Sequence, residues 1–418
     1  MVHEDWKLVS IVSLLERMDA GTWGEEPSVS QEATAVIRST NYTKDLKLNL
    51  EKIAYRKLTE KHKSEKMLKI GDLLLEKSGG GPAQPVGRVV LFKEEGAFSF
   101  ANFLQRLTPD SSQVIPEFLY YVMAHGYLNG KTLVHQKQTT GIRNLDYKEY
   151  LNTTLFLPPL KEQQKIAEIL SSVDEAIEKT EAIIKQTETV KKGLMQQLLT
   201  KGIGHTEFKQ TEIGEVPVTW EVLNFKEACD IVNGQVDPTI EPYRSMPNIG
   251  SANIAKFTGQ LLEYQTASTD KVTSGKYLFG SEHVLFSKIR PELAKVTYPG
   301  FEGLCSADIY PVKAKNDRLL PEFIKYILLD QRFYKYSVSV SGRTGMPKVN
   351  RRELDNYKVL CPSLEEQKKI VSCISAIESK ETIERKKLIN MLDLKKSLMQ
   401  TLLTGKTRVN VDQPEVLI

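Results

Sequence analysis

The side chains of this sequence that could bind a ligand are concentrated in polar, basic loops, three in each half. The loops are 38–41, 77–81 and 138–144 in the first half, and 248–253, 287–290 and 341–348 in the second. Arg and Lys can pair with phosphates or with guanine edges, and Asn and Gln suit adenine. The candidate contact residues are Arg38, Asn41, Lys77, Ser78, Gln138, Thr140, Arg143, Asn144, Asn248, Ser251, Asn253, Ser287, Lys288, Arg290, Arg343, Thr344 and Lys348. For each of them, a solvated turn is the alternative interpretation.

Catalytic motifs are not found intact in the sequence. Segment 126–132 resembles a phosphate-binding loop, but it is one residue short of G-x-x-x-x-G-K-T and follows a predicted helix. The pair Pro158-Pro159 lacks the Asn or Asp and the aromatic residue of an adenine methyltransferase. Glycines 79–81 are interpreted as a flexible loop between strands, and scattered His and Cys residues predict no metal site. We therefore expect a chain that is not an enzyme.

Length and composition favour a soluble protein of two to three domains. No run approaches 18 uninterrupted apolar residues, so no membrane contact is expected. The first residues lack the basic start and apolar core of a signal peptide, which predicts a cytoplasmic protein. The net charge of +4 is spread evenly over the two halves, so any nucleic-acid contact must come from local basic loops.

The second half of the sequence repeats the first half at a constant offset. Gln163, in LPPLKEQQKIAEIL, corresponds to Gln367, in CPSLEEQKKIVSCI (367 − 163 = 204). The same offset relates the Leu-Met-Gln triplet at 194–196 to the triplet at 398–400, and Gly141 to Gly345. The loops just before the two long matched stretches share this offset and therefore rank first among the candidates.

Each long matched stretch predicts a helix with a single apolar seam. The seam has the 3.5-residue period of a coiled coil. Its residues are Ile166, Leu170, Val173, Ile177, Ile184, Leu194 and Leu198 in the first copy, and Ile370, Ile374, Ile377, Leu388, Met391, Leu398 and Leu402 in the second. Glu381 and Glu384 interrupt the second seam. The obvious partner for each helix is the other copy, and the alternative is that each packs on its own domain.

The segments between the helices are predicted to be mixed α/β domains. Strand-like runs occur at 88–92 and 283–286, and an amphipathic helix with a first-turn proline recurs from Ile115 and from Leu320. A polar linker punctuated by Gly and Pro covers 202–220. The predicted organisation is a first domain at 1–156, a helix at 157–202, a linker and second domain at 203–360, and a second helix with a tail at 361–418.

At these repeats the chain resembles the DNA-specificity subunits of type I restriction-modification systems. The matching segments are LPPLKEQQKIAEIL with GLMQQLLTKG, CPSLEEQKKIVSCI with SLMQTLLTGK, IGEVPVTWEV at 213–222, and LFSKIRPELAKV at 285–296. The resemblance covers essentially the whole chain and is strongest in the helices. It implies an α+β fold with two α/β target-recognition domains in a pseudo-twofold repeat, separated by an antiparallel two-helix coiled coil.

The resemblance also implies a targeting role without chemistry or a cofactor in this chain. Each domain would bind one half of a bipartite, asymmetric site in double-stranded DNA, and the coiled coil would fix the spacer between the halves. Two methyltransferase subunits docked on the coil would bring S-adenosylmethionine and methylate adenine at N6. Restriction subunits would add cleavage that uses ATP and Mg. The start at Trp6, without a complete IGEVP stretch, fits a circular arrangement in which both chain ends rebuild one repeat.

Three alternatives stay open from the sequence. The first is an interaction scaffold, in which the coil joins two protein-binding domains. The second is a self-sufficient DNA methyltransferase or nuclease, against which the missing methyltransferase motif argues. The third is a specificity subunit that serves a methyltransferase without any restriction subunit.

Overall fold

The computed structural model describes residues 5–28, 33–81, 84–139, 141–342, 345 and 347–411. Two compact units divide the chain. Unit 1 contains the described residues up to Glu181 together with those from Lys386 onward, and unit 2 is Ala182–Arg385. Each of the two long helices therefore contributes one part to unit 1 and one part to unit 2.

Unit 1 combines short strands with a few helices. Its strands are β1 (Lys7–Ser10), β2 (Leu15–Ala20), β3 (Ala33–Ile37), β4 (Ala54–Lys57), β5 (Leu73–Glu76), β6 (Ser78–Gly80), β7 (Val89–Leu91), β8 (Phe98–Phe100), β9 (Leu104–Pro109), β10 (Gln136–Thr139), β11 (Ile142–Leu145) and β12 (Thr154–Leu157). Its helices are α1 (Glu60–Lys66), α2 (Pro116–Leu128), α3 (Tyr147–Leu151) and the first part of the long helix α4 (Leu160–Lys201). Helix α2 begins at the predicted first-turn proline, where a missing N–H costs no hydrogen bond.

The main sheet of unit 1 is antiparallel, in the order β2-β9-β5-β7. A second sheet has the order β4-β3-β8, in which β3 and β8 are parallel. All four residues of β5 are buried, because alternate side chains pack into two apolar clusters, Leu73 and Leu75 in one and Leu74 in the other. The third sheet, β10-β11-β6, contains two segments that the sequence suggests are loops. The prediction of a flexible loop at glycines 79–81 is thus wrong for Gly79 and Gly80, which lie in β6.

Unit 2 repeats this plan, with some elements added or missing. Its strands are β13 (Phe208–Thr211), β14 (Gly214–Pro217), β15 (Glu221–Asn224), β16 (Cys229–Ile231), β17 (Pro247–Ile249), β18 (Gln265–Thr266), β19 (Tyr277–Phe279), β20 (Val284–Ser287), β21 (Val296–Thr297), β22 (Gly303–Cys305), β23 (Ile309–Ala314) and β24 (Lys358–Cys361). Its helices are α5 (Phe225–Ala228), α6 (Pro321–Leu329), α7 (Gln331–Val340), α8 (Arg351–Asp355) and the first part of the long helix α9 (Leu364–Leu402).

The main sheet of unit 2 has the strand order of the main sheet of unit 1, and the second sheet of unit 2 has one additional strand, β19. The antiparallel sheet β16-β23-β20-β21 corresponds to β2-β9-β5-β7, and β18-β17-β22-β19 again contains one parallel pair, β17 with β22. The segment that the sequence suggests is a plain linker contains the hairpin β13-β14. The mixed α/β character predicted for both segments is confirmed.

The two long helices pack together as an antiparallel coiled coil. In unit 1, Asp174 of α4 pairs with Lys395 of α9 at 2.6 Å, and Thr180 lies 3.7 Å from the sulfur of Met391. Residue numbers rise along one helix while they fall along the other, which defines the antiparallel direction. The predicted pairing of the two copies is confirmed.

The apolar seam is covered along both helices. Buried seam residues are Ile166, Leu170, Val173, Ile177, Ile184, Leu198, Ile370, Ile374 and Leu402, and half-buried ones are Leu194, Ile377, Leu388, Met391 and Leu398. In unit 1, Ile166 and Leu170 also share an apolar cluster with Phe118 of α2. Burial of each of these aliphatic side chains stabilises the folded state by about 1.5–3 kcal/mol. The helix ends therefore pack on their own globular part as well as on each other.

The seam in unit 2 contains an ion pair where the sequence suggests an interruption. The Glu381 carboxylate is 10% exposed and accepts hydrogen bonds from Lys191 at 2.9 Å and from Arg385 at 3.0 Å. Lys191 of α4 follows the seam residue Ile184 by one heptad (191 − 184 = 7). Because the two polar residues face each other, α9 continues without a break through Glu381. The pair also favours one register of the coil over its neighbours.

Two buried glutamines anchor the long helices in the same way. Gln163 donates to the carbonyls of Gln113 (3.1 Å) and Pro158 (2.8 Å) and accepts from the N–H of Ile115 (2.9 Å). Gln367 makes the matching three bonds, at 2.9 Å each, to the segment before α6 and to the proline before α9. Both side chains are inaccessible to solvent. They fix the start of each long helix against the start of α2 or α6.

Trp6 and Gly405, which are far apart in sequence, meet in unit 1 and form a feature that unit 2 builds from Trp220 and Gly202. The indole of Trp220 donates to Glu366 at 2.9 Å, beside Gly202. Gly202 ends α4 with φ +65°, and a Cβ there would lie 2.7 Å from the Trp220 ring. In unit 1 the indole of Trp6 donates to Glu162 at 3.2 Å, and Gly405 lies against the Trp6 ring.

Candidate nucleic-acid interface

In unit 1, two of the three predicted loops are joined in one small sheet. Strand β11 pairs with β10 on one edge and with β6 on the other, so that Arg143 lies opposite Gly80 and Asn144 opposite Ser78. The Ser78 hydroxyl donates to the Asn144 side-chain oxygen at 2.5 Å. The N–H of Leu145 also donates to the carbonyl of the lysine that precedes β6. Segments that are far apart in sequence therefore present their side chains together.

The third loop of unit 1 is tied to the other two by a buried ion pair. Arg88 pairs with Glu76 at 2.6 Å, and both side chains are less than 9% exposed. Arg88 also donates to the carbonyl of Ser39 at 3.0 Å, and a Cβ on Gly79 would lie 3.9 Å from the Ser39 hydroxyl. Burial opposes the charge of Arg88, but the Glu76 carboxylate more than offsets this and raises the pKa of the guanidinium. Sequence reasoning did not identify this pair.

Asn41 and Asn253 shape their loops in the same way. The side-chain oxygen of each accepts from the backbone N–H three residues earlier, at 3.0 and 2.8 Å. The amide nitrogen of Asn41 donates to the carbonyl of Asn49 at 3.0 Å, and that of Asn253 donates to the carbonyl of Glu263 at 2.6 Å. Both amides are therefore engaged within the protein, and Asn41 is buried.

In unit 2 the three predicted loops also converge. The N–H of Arg290 donates to the carbonyl of Pro347 at 2.8 Å, and Ile289 forms a bridge with Lys348. The hydroxyls of Ser251 and Ser287 lie 3.0 Å apart. This contact joins the loop after β17 to the end of β20, in the way that unit 1 joins the loop after β3 to the end of β5.

The candidate residues differ in exposure. Arg290 and Lys348 are exposed; Arg38, Lys77, Ser78, Arg143, Asn144, Ser251, Asn253 and Lys288 are half-buried; Asn41, Asn248 and Ser287 are buried. Asn248 lies in β17 and donates to Asp270 at 2.8 Å, and Ser287 is the last residue of β20, so both are strand residues rather than loop residues. Thr140, Arg343 and Thr344 lie outside the described residues, as does the side chain of Gln138.

The cations at these surfaces are not neutralised by neighbouring carboxylates. Within the described ranges, none of the following forms a salt bridge: Arg38, Lys77, Arg143, Lys288, Arg290 and Lys348. Burial, with a smaller effect from the charge of Lys66, lowers the pKa of Lys77. Unpaired cations on adjoining segments form a positive surface that can bind phosphates.

Two lysines of unit 2 belong to this surface although they were not among the sequence candidates. Lys295 donates to the backbone carbonyl of Ser251. Burial lowers the pKa of Lys295, and the charges of Lys256 and Arg290 lower it further. Lys295 lies within the segment 285–296 that carries the family resemblance, so that segment was the available signal.

The described part of the chain lacks two other classes of site. That part contains no group of three or more His, Cys, Asp or Glu residues placed to hold a metal ion. None of its helices combines the length and the apolar character needed to cross a lipid bilayer.

Comparisons with known proteins agree with the repeat. The family model for the type I restriction modification DNA specificity domain matches twice, at residues 3–189 and 217–393. The type I restriction enzyme MjaVIII specificity subunit of Methanocaldococcus jannaschii is 29% identical over 424 residues, which cover 98% of this chain and 94% of the relative. The type I restriction enzyme EcoDI specificity subunit of Escherichia coli is 27% identical over 349 residues, which cover 76% of this chain and 77% of the relative.

The fold is also found in solved structures. The crystal structure of the type I restriction-modification system S subunit from M. genitalium superposes with a TM-score of 0.60 at 14% identity, over 96% of each chain. At this identity the likeness concerns the fold alone. The two family matches together span most of the sequence, one in each half. The chain therefore belongs to the type I restriction modification DNA specificity domain family.

Proposed function

We propose that this chain is the DNA sequence-recognition subunit of a type I restriction-modification complex and performs no chemistry itself. The observation that carries the proposal is the convergence, in each unit, of three separate segments whose described cations have no ion-pair partner. Phosphate contacts position a protein on DNA, and base-edge contacts supply sequence specificity. Specificity subunits are the targeting subunits of type I systems, and the family membership supports the same role here.

Each half of the chain contributes one recognition domain in this proposal. Residues 1–156 and 203–360 are the two target-recognition domains, and the segments from 157 and from 361 are the helices of the coil. The two domains read different half-sites, because their contact segments differ: unit 1 offers the hairpin β10-β11, whereas unit 2 places α7 before the corresponding segment. The recognised sequence is therefore bipartite and asymmetric.

The coiled coil has two roles in the proposal. A helix of 42 residues, such as α4, is about 63 Å long. Its fixed length sets the number of unread base pairs between the half-sites. Two methyltransferase subunits dock on the coil and bring S-adenosylmethionine, and restriction subunits bring ATP and Mg.

The experiment that tests the proposal is methylome sequencing of cells that express the chain with its cognate methyltransferase. We expect N6-methylated adenines in one bipartite, asymmetric motif. Arg143 and Lys348 form a matched pair of variants, because they occupy similar places in the two units (348 − 143 = 205). Arg143 lies opposite Gly80 of β6, and Lys348 forms a bridge with Ile289, just after β20. Arg143→Ala should relax the bases of one half-site, and Lys348→Ala those of the other.

Controls separate recognition from general damage. Lys226→Ala removes an exposed cation from the short helix α5 of unit 2 and should leave the motif unchanged. If neither Arg143→Ala nor Lys348→Ala changes the motif, these segments do not read bases. If the wild-type chain directs no methylation and shows no salt-dependent DNA binding with its partner, the scaffold interpretation replaces the proposed function.

A further inference from the structure

We propose that Lys256, Arg290 and Lys295 form a phosphate-binding site on unit 2 that is occupied by the backbone of bound DNA. We call these three residues the basic triad. The inference rests on the proposed function and deepens it, because it adds two lysines and assigns Arg290 to the DNA backbone rather than to a base edge. Contacts of this kind add affinity and register without sequence preference.

Backbone hydrogen bonds hold the segments of the basic triad together. The N–H of Phe257 donates to the carbonyl of Ala294 at 3.3 Å, so Lys256 and Lys295 are carried by adjoining strands of chain. The carbonyl of Lys295 accepts from the N–H of Ser287 at 3.0 Å, which places it beside the end of β20. The Lys295 ammonium group donates to the loop after β17.

Arg290 and Lys295 flank a single 3₁₀ turn, Pro291–Leu293. The charges of Lys256 and Arg290 are close enough to Lys295 to lower its pKa, in addition to the larger effect of burial. Three cations thus share one small region. Glu292 lies in the same turn, but it is exposed and forms no ion pair with any of the three in the described chain.

The backbone around the turn adopts a conformation that is unfavourable for residues with a Cβ. Arg290 has φ +50° and Ala294 has φ +43°, both in the left-handed region. Phe257, which bonds to Ala294, has φ +62°. Such conformations persist where the surroundings determine them, and they cluster at ligand-binding sites. Here the bond from Arg290 to Pro347 holds the start of the turn.

The arrangement brings like charges together, and within the described ranges no carboxylate forms an ion pair with them. Mutual repulsion of three cations opposes folding, and an anion between them would relieve it. The neighbouring Lys288 and Lys348 extend the positive surface along the same segments. A phosphodiester backbone supplies successive negative charges along one line, which suits a site carried by adjoining segments.

The test uses the complex of this chain with its methyltransferase subunit. The equilibrium constant for DNA binding is measured between about 50 and 200 mM salt. One duplex carries the motif that methylome sequencing identifies, and the other carries a scrambled sequence. Removal of one phosphate-binding cation should reduce the slope of log K against log salt concentration by about 0.9. Lys256→Ala combined with Lys295→Ala should therefore reduce the slope by about 1.8, equally on both duplexes.

Two further variants separate binding from folding. Lys256→Ala alone removes no hydrogen bond that the structure shows, and it should still reduce the slope by about 0.9. Arg290→Lys keeps the charge and should keep the slope. Lys226→Ala is the matched control for removal of a cation elsewhere on unit 2 and should also keep it.

Three outcomes would overturn the inference. An unchanged slope in the Lys256 and Lys295 variants, while the wild-type complex prefers its motif, would contradict the phosphate site alone. If the variants bind DNA more weakly only when particular base pairs are present, the triad contacts bases. A wild-type complex that binds both duplexes equally would contradict the proposed function, and the inference with it.

Discussion

Where helices α2 and α6 meet the coil, the two units form the same hydrogen bond in different electrostatic surroundings. In unit 1, the Tyr121 hydroxyl donates to Asp174 at 2.8 Å, and Lys395 pairs with the same carboxylate. In unit 2, the Tyr326 hydroxyl donates to Glu378 at 2.8 Å. Burial, with the neighbouring carboxylate, raises the pKa of both phenols, so both remain donors at neutral pH.

The difference lies in two positions that change together. Ile177 of unit 1 corresponds to Glu381 of unit 2 (381 − 177 = 204), and Tyr120 corresponds to Lys325 (325 − 120 = 205). Lys325 pairs with Glu378 at 3.1 Å, and Lys191 pairs with Glu381 at 2.9 Å and with Glu378 at 3.9 Å. Two neutral side chains in one unit are therefore replaced by two opposite charges in the other. A half-buried charge is stable only with a partner of opposite charge. A negative and a positive residue are therefore found together in unit 2 where unit 1 has two neutral residues.

The strongest test of the shared frame is removal of the buried glutamines. Gln163→Ala and Gln367→Ala each leave a buried N–H and two carbonyls without their side-chain partner. We expect each to lower the free energy of unfolding by about 3 kcal/mol, with similar values because the bonds match. Urea denaturation of the full chain measures this, with the exposed neighbour Gln164→Ala as control. Clearly unequal losses would show that the two anchors are not equivalent.

A second prediction separates the two junctions. Lys395→Met leaves Asp174 with one hydrogen bond from Tyr121, whereas after Lys191→Met the two carboxylates of unit 2 keep Lys325 and Arg385. We expect the free energy of unfolding to fall by about 2 kcal/mol in Lys395→Met and by about 1 kcal/mol in Lys191→Met. Thermal unfolding compares them with the exposed control Lys396→Met. The reverse order would contradict the compensation by paired charges.

The smallest expected effect is the pH dependence of the Glu381 pair. Burial alone would raise the pKa of Glu381, but the hydrogen bonds from Lys191 and Arg385 lower it below the ordinary value of 4.5. A lowered folded pKa means that the stabilisation is complete above the unfolded value and is lost as pH falls through the folded value. Glu381→Gln should lower the free energy of unfolding by less than about 1 kcal/mol at pH 7.

Chemical denaturation at a series of pH values measures this effect. The stability difference between Glu381→Gln and wild type should shrink below pH 4.5. Glu181→Gln, at an exposed position of α4, is the control and should differ little from wild type at any pH. A difference for Glu381→Gln that stays constant with pH would show that the ion pair does not stabilise the fold.

The two long helices and the two-copy organisation could be predicted from the sequence, because sequence patterns indicate them directly. The seam of Ile166 and Leu170 and the first-turn prolines are properties of neighbouring residues, and the offset between Gln163 and Gln367 is visible when the two halves of the sequence are compared. The recognition surface could be predicted only in part. Its loops were located, but β6, the hairpin β10-β11 and the buried strand positions of Asn248 and Ser287 depend on pairing between distant segments.

Side-chain roles show the same limit. Asn41 and Asn253 have the chemistry to contact a base, but only the loop geometry shows that their amides are engaged by the backbone. Glu381 is a break in a heptad pattern when the sequence is considered alone. Its partner Lys191 is 190 residues away, so the compensation is visible only in the folded chain.

The sequence by itself determined the two-copy frame, the long helices and the family, since helix periodicity is encoded over short distances and the repeat is visible when the two halves are compared. The tertiary structure decided which cations share a surface and which polar residues are internal. Those properties arise because strand pairing and helix packing join segments whose sequence separation carries no local signal. The basic triad is such a case: Lys256 lies near Arg290 and Lys295 because Phe257 bonds to Ala294.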